Sequence, residues 1–112
     1  MPGGKKVNLS EATVQEIVGR ILSASDPEKI IIFGSAATGT MDADSDIDVL
    51  VVSRCLYDAR KQRRKLAEAL LDIGYPIDLV LISSEWFDES KDVIGGIAYP
   101  ANKYGKVVYD AA

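Results

Sequence analysis

The chain has 112 residues, 47% hydrophobic, 27% charged and 7% aromatic, the composition of one ordinary globular domain that needs neither disulfide nor metal to fold. Its 13 Lys+Arg against 17 Asp+Glu, net −4, weigh against a protein whose main work is gripping nucleic-acid phosphates. There is no histidine, which excludes Ser-His-Asp and Cys-His nucleophile pairs, imidazole acid–base chemistry and the usual zinc ligand sets.

In chain order, residues 1–9 read as a polar tail. Val14, Ile17, Val18, Ile21 and Leu22 then recur at helical spacing behind the capping residue Ser10, predicting a helix over 10–23. Asp26-Pro27-Glu28 breaks it, and the β-branched run Ile30-Ile31-Ile32-Phe33 is a buried strand ending at Gly34-Ser35. Residues 34–45 are small and polar, a loop or single helical turn. Residues 46–53 return to strand composition, with Asp46, Asp48, Leu50 and Val52 on one face and Ile47, Val49 and Val51 on the other.

A helix is predicted over 57–73, with Leu66, Ala67, Leu70 and Ile73 inward and Gly74 as its stop. Its basic run, Arg60-Lys61-Gln62-Arg63-Arg64-Lys65, reads as a solvated face. A third strand over 77–82 carries one acid, Asp78. A short aromatic helix over 84–90, a helical stretch over about 92–103 and a last strand over 105–110 complete the chain. Trp86, Phe87, Tyr99 and Tyr104 are expected to finish a small core. The order describes an α/β (α+β) domain, three or four strands under helices, spanning 1–112 as one unit. The single Cys55, with no leader over residues 1–10 and no apolar run near 18 residues, points to the cytoplasm and away from a membrane.

Two features carry chemistry. Asp46-x-Asp48 puts two carboxylates on one strand face, where charges about 5 Å apart repel by roughly 3 kcal/mol at an effective dielectric of 20. A divalent cation would reverse that sign, and Asp78, on another apolar strand, makes a third acid for the same cup. An EF-hand starting at Asp42 fails, because its sixth position is Ile47 and its twelfth Ser53. Gly34-Ser35 directly after a strand suits phosphate oxygens. The spacing Gly34 to Gly39 imitates a Walker A loop, but Thr40-Met41 stands where Lys-[Ser/Thr] is required.

Gly34-Ser35, ten residues, then Asp46-x-Asp48 resembles the GS-x10-DxD signature of the nucleotidyltransferases of the DNA polymerase β superfamily. Asp78 sits where that superfamily carries its third acid, and the size and the ending Gly105-Lys106-Val107-Val108-Tyr109 resemble the minimal nucleotidyltransferases, or MNT proteins, of prokaryotes. The resemblance implies the nucleotidyltransferase fold, with a mixed sheet. It implies Asp46, Asp48 and Asp78 as catalytic metal ligands, Gly34 and Ser35 as phosphate ligands, and Mg²⁺, on a two-metal site, with ATP as substrate. It also implies transfer of AMP to a hydroxyl of a HEPN-domain partner, as the antitoxin of a toxin–antitoxin pair, with homo- or hetero-oligomers compatible with the chain. Relatives often carry two arginines at this turn where this chain has Ala36 and Thr38, so the phosphates lose two cations, and Lys103 or Lys106 would be the replacements. The alternative is a catalytically weak or inactive binding module that neutralises the partner by covering it.

Overall fold

In the computed structural model, which describes residues 10–34, 46–54, 56–96 and 98–111, the first element is helix α1 (Glu11–Ala24). Ser10 caps it, its hydroxyl accepting from the Thr13 N–H at 3.2 Å, so one of the four orphan donors of the first turn is satisfied. Ile17 and Ile21 form the buried face. The helix closes at Ser25, whose N–H and hydroxyl both donate to the Ile21 carbonyl, at 2.9 and 3.1 Å.

Strand β1 (Pro27–Phe33) begins three residues earlier than its β-branched run suggests. Pro27, expected only to break α1, is buried and heads the strand, where its missing N–H removes no interior ladder bond. Strand β2 (Ile47–Ser53) runs antiparallel to β1. Helix α2 (Ala59–Ala69) is shorter than the expected 57–73. Its cap is Asp58, which accepts from the Lys61 N–H at 3.1 Å, and it stops at Leu70 with φ −102° and ψ 3°. Gly74, at φ 90°, belongs to the turn beyond and is not the helix stop. Arg20 of α1 donates to the Ala69 carbonyl at 3.1 Å, a cation placed on the negative end of the α2 dipole.

Strand β3 (Ile77–Ser83) lies parallel to β2, with α2 as the crossover between them. Helix α3 (Ser84–Ser90) follows at once, its Trp86 N–H bonded to the Ser83 hydroxyl at 3.1 Å. The helix expected from 92 forms only as α4 (Ala98–Tyr104), because Gly95 takes φ 115° and residues 92–96 turn instead. Strand β4 (Lys106–Asp110) returns antiparallel to β1 on its free side. The result is a mixed four-stranded sheet in the order β3-β2-β1-β4.

Helices cover both faces. Ile30, Ile32, Ile47, Val49, Val51 and Leu79 pack against α1 and α2 through Ile17, Ile21, Leu66 and Leu70. On the other face Ile31, Phe33, Leu50 and Val52 meet Phe87 of α3 and Ala98 and Ala101 of α4. Each fully buried aliphatic side chain contributes about 1.5–3 kcal/mol relative to exposure, so the alternation along β2 fixes which way Asp48 points. Of the four aromatics expected in the core only Phe87 is fully buried; Trp86 and Tyr104 remain 56% and 59% exposed. A helix of seven residues offers one inward position per turn, and in α3 that position is Phe87. Residues 1–9, the stretch 35–45 and Cys55 lie outside the described residues.

Candidate active site

Three strand ends share one rim of the sheet: the end of β1 and the starts of β2 and β3. The registers place Phe33 opposite Asp48, and Asp48 opposite Asp78, in one row across three strands. The two starts are tied where the Ile47 N–H donates to the Pro76 carbonyl at 2.9 Å. Because neighbouring strands lie about 4.8 Å apart and paired residues share a face, Asp48 and Asp78 present their carboxyls side by side. This is the face of α3 and α4, where Leu50 and Val52 continue the Asp48 row.

The electrostatics follow from that placement. Burial pushes the Asp48 carboxyl above its ordinary 3.8, and the Asp78 charge, a hydrogen bond with Asp78 and the Asp46 charge push the same way. Among the described residues no ion pair neutralises Asp46, Asp48 or Asp78. Asp46 is exposed just ahead of β2 and acts on Asp48 through its charge alone. Among the described residues the acids are not gathered into a preformed three-ligand metal shell. The donor set nonetheless suits a hard divalent cation, which takes carboxylate oxygens and relieves the repulsion that adds to burial in raising Asp48.

Gly34 has a role that spacing did not show. Its φ is 71°, and a Cβ built on it would overlap Asp48 Oδ2 and stand 3.2 Å from Asp48 Cγ. A side chain here would displace the carboxylate. The antiparallel register sets Phe33 opposite Asp48, and the left-handed turn that follows brings Gly34 onto the carboxylate, a combination that spacing alone does not show. Ser35, Ala36, Thr38, Asp42 and Asp44 lie outside the described residues.

The two proposed replacement cations separate. Lys106 pairs with Ile32, whose side chain joins the α1 and α2 core, and it borders a cleft with Glu11, Val14 and Gln15 of α1. It therefore stands on the sheet face opposite the acids, since paired residues share a face. Lys103, on α4, donates to the Tyr99 hydroxyl at 3.2 Å and lies 5.5 Å from the ring centres of Tyr99 and Tyr104. Two aromatic faces hold its charge.

Comparison with known proteins agrees with this architecture. The family model of the nucleotidyltransferase domain matches residues 13–97. Among solved structures, the chain is similar to a candidate nucleotidyltransferase from Sulfolobus solfataricus at a TM-score of 0.63 and 19% identity, covering 89% of this chain and 79% of that one. It is similar also to a toxin–antitoxin structure with AMP-PNP at a TM-score of 0.62 and 24% identity, covering 87% and 73%. No curated protein matches the chain. With three quarters of its length matched by the family model, and with the acid row on the rim of a mixed four-stranded sheet, the chain belongs to the nucleotidyltransferase domain family.

Proposed function

We propose that this chain transfers AMP from ATP to a hydroxyl of a partner protein, as the antitoxin of a pair whose toxin carries a HEPN domain, in the cytoplasm. The observation that carries the reading is the Asp48–Asp78 rung, with Asp46 adjoining and no neutralising cation among the described residues. The family match and the fold shared with a toxin–antitoxin structure holding AMP-PNP support it. The HEPN partner comes from the resemblance to MNT proteins. Among the described residues no helix is long and apolar enough to cross a membrane.

Asp46, Asp48 and Asp78 would hold Mg²⁺, which supplies neutralisation of the triphosphate and polarisation of the bonds being exchanged. The chain's own part is positional. The left-handed Gly34 turn admits the Asp48 carboxylate at the end of β1, and the turn's backbone N–H groups with the Ser35 hydroxyl would be the phosphate ligands. Asp78, exposed on its rung, is the carboxylate within reach of an incoming hydroxyl. The acceptor oxygen bonds to the α-phosphorus, the bond from that phosphorus to the β-phosphate bridging oxygen breaks, and pyrophosphate leaves. The hydroxyl proton passes to a carboxylate or to solvent.

The second reading, a binding module that neutralises its partner without transfer, is favoured by one observation: Ala36 and Thr38 leave the phosphate turn without cations. One experiment separates the two. The purified chain and Mg²⁺ are incubated with lysate containing the partner and with ATP labelled at the α- or the γ-phosphate. Enzyme-dependent α-label on a protein band, without γ-label, is the expected result. Absence of both labels in a lysate shown to contain the partner overturns transfer in favour of the binding module.

A further inference from the structure

The two edges of the sheet differ. The outer strand β4 is blunted in the usual ways: Lys106 and Asp110 stand at its ends and its pairing with β1 is irregular between Ile30 and Ile31. The other outer strand, β3, is blunted only at its start, by Pro76 and Asp78, and is apolar from Leu79 to Ile82. It reads IDLVLIS, its seven pairs with β2 are regular, and among the described residues no strand lies on its far side. Its apolar side chains Ile77, Val80, Leu81 and Ile82 stay half-buried as a result. Beside it, Leu71 is 76% exposed on an apolar groove that it lines with Leu70, Tyr75, Ile77 and Leu79.

The backbone parity of β3 follows from one bond. The Ile47 N–H donates to the Pro76 carbonyl, so in a parallel pair the peptide groups of Asp78, Val80 and Ile82 turn toward β2. Those of Ile77, Leu79, Leu81 and Ser83 therefore point outward, where a further strand would bond them. This outward set is symmetric about Val80. An antiparallel copy of the same strand, placed on a two-fold axis through Val80, satisfies every outward N–H and C=O by pairing Ile77 with Ser83 and Leu79 with Leu81 of the second copy. The single charged residue, Asp78, then faces Ile82 of the second copy, whereas an axis through Asp78 would oppose two carboxylates and forfeit half of the pairs.

We infer that β3 is a self-pairing edge and that two copies of this chain join their four-stranded sheets, β3 antiparallel to β3, about a two-fold axis at Val80. The inference rests on strand geometry and not on the transfer reading, although it sets Asp78 of the acid rung beside the seam.

Two measurements test it. Sedimentation equilibrium over a concentration series is expected to give twice the 12.1 kDa chain mass. Val80→Lys, which opposes like charges on the axis, is expected to weaken the dimer by roughly 5-fold or more, and mixing it with Val80→Glu to restore association. Amide exchange on the unaltered chain makes the test independent of how those variants fold. The Leu79, Leu81 and Ser83 N–H groups are expected to become protected as concentration rises, while those of Asp78, Val80 and Ile82 are protected throughout by β2. A monomer at every concentration, a dimer whose Leu79 and Leu81 amides exchange as on a free edge, or folded charge variants that fail to recombine would overturn the proposal.

Discussion

Asp48 and Asp78 occupy one rung of two parallel strands, and the burial and mutual repulsion of that rung hold the Asp48 carboxyl above its ordinary pKa. The fold therefore maintains an arrangement that is unfavourable without a cation.

Removing charge from the rim costs activity and not stability. Asp46→Asn with Asp48→Asn is expected to abolish transfer of α-label while raising the metal-free unfolding free energy by up to about 1 kcal/mol, a small gain because the carboxyls are largely solvated. Urea denaturation in EDTA, beside the labelling assay, reads both. Transfer retained by the purified double variant would remove the acids from the metal role.

The pH dependence has a definite sign. The folded Asp48 pKa is raised above 3.8, so between 3.8 and the raised value the folded chain binds more protons than the unfolded one. The Asp48 contribution is thus fully present below 3.8 and is lost as pH rises through the folded value. Thermal melts in EDTA across this window, with Asp48→Asn as the reference, are expected to show a difference that declines with rising pH. Mg²⁺ is expected to stabilise the unaltered chain above the window and not below it, since its ligands must be ionised.

Gly34→Ala is expected to act twice. The left-handed φ of 71° costs an L-residue about 1–2 kcal/mol, and the added methyl displaces Asp48 Oδ2. Loss of stability in urea should come with weaker Mg²⁺ binding by calorimetry. A variant that loses stability but binds Mg²⁺ as before would separate the turn from the acid.

Gly105→Ala tests packing alone, because Gly105 carries no positive φ. A Cβ there would overlap the Ala101 carbonyl oxygen and stand 2.6 Å from Ile31 Cγ2, between α4 and the start of β4. Overpacking at such a contact costs about 1–3 kcal/mol, read as a lowered unfolding midpoint. Mg²⁺ binding is expected to be unchanged.

The elements most legible in the sequence were those whose burial pattern is local. The α1 face and the alternation of Ile47, Val49 and Val51 against Leu50 and Val52 follow from periodicity, since burial on one face selects a period of 3.6 or 2. The boundaries that differed were settled by contacts beyond the element. Pro27 joined β1 because β2 supplies its partner, and α2 stopped at Leu70 although Ile73 beyond it is still buried.

For the site, spacing alone puts Asp46 and Asp48 on a common strand, of which the structure keeps Asp48 and leaves Asp46 just ahead of β2, and it marks Asp78 as an acid in an apolar strand. What residue order determined was therefore the chemistry on offer: carboxylates, a Gly-Ser turn and no imidazole. Tertiary structure alone decided that Asp48 and Asp78 share a rung, that Gly34 must be bare to admit the Asp48 carboxylate, and that Lys106 faces away from them. The physical reason is that a side chain's type and face are local properties of the chain, whereas strand order and register come from burying two sheet faces at once.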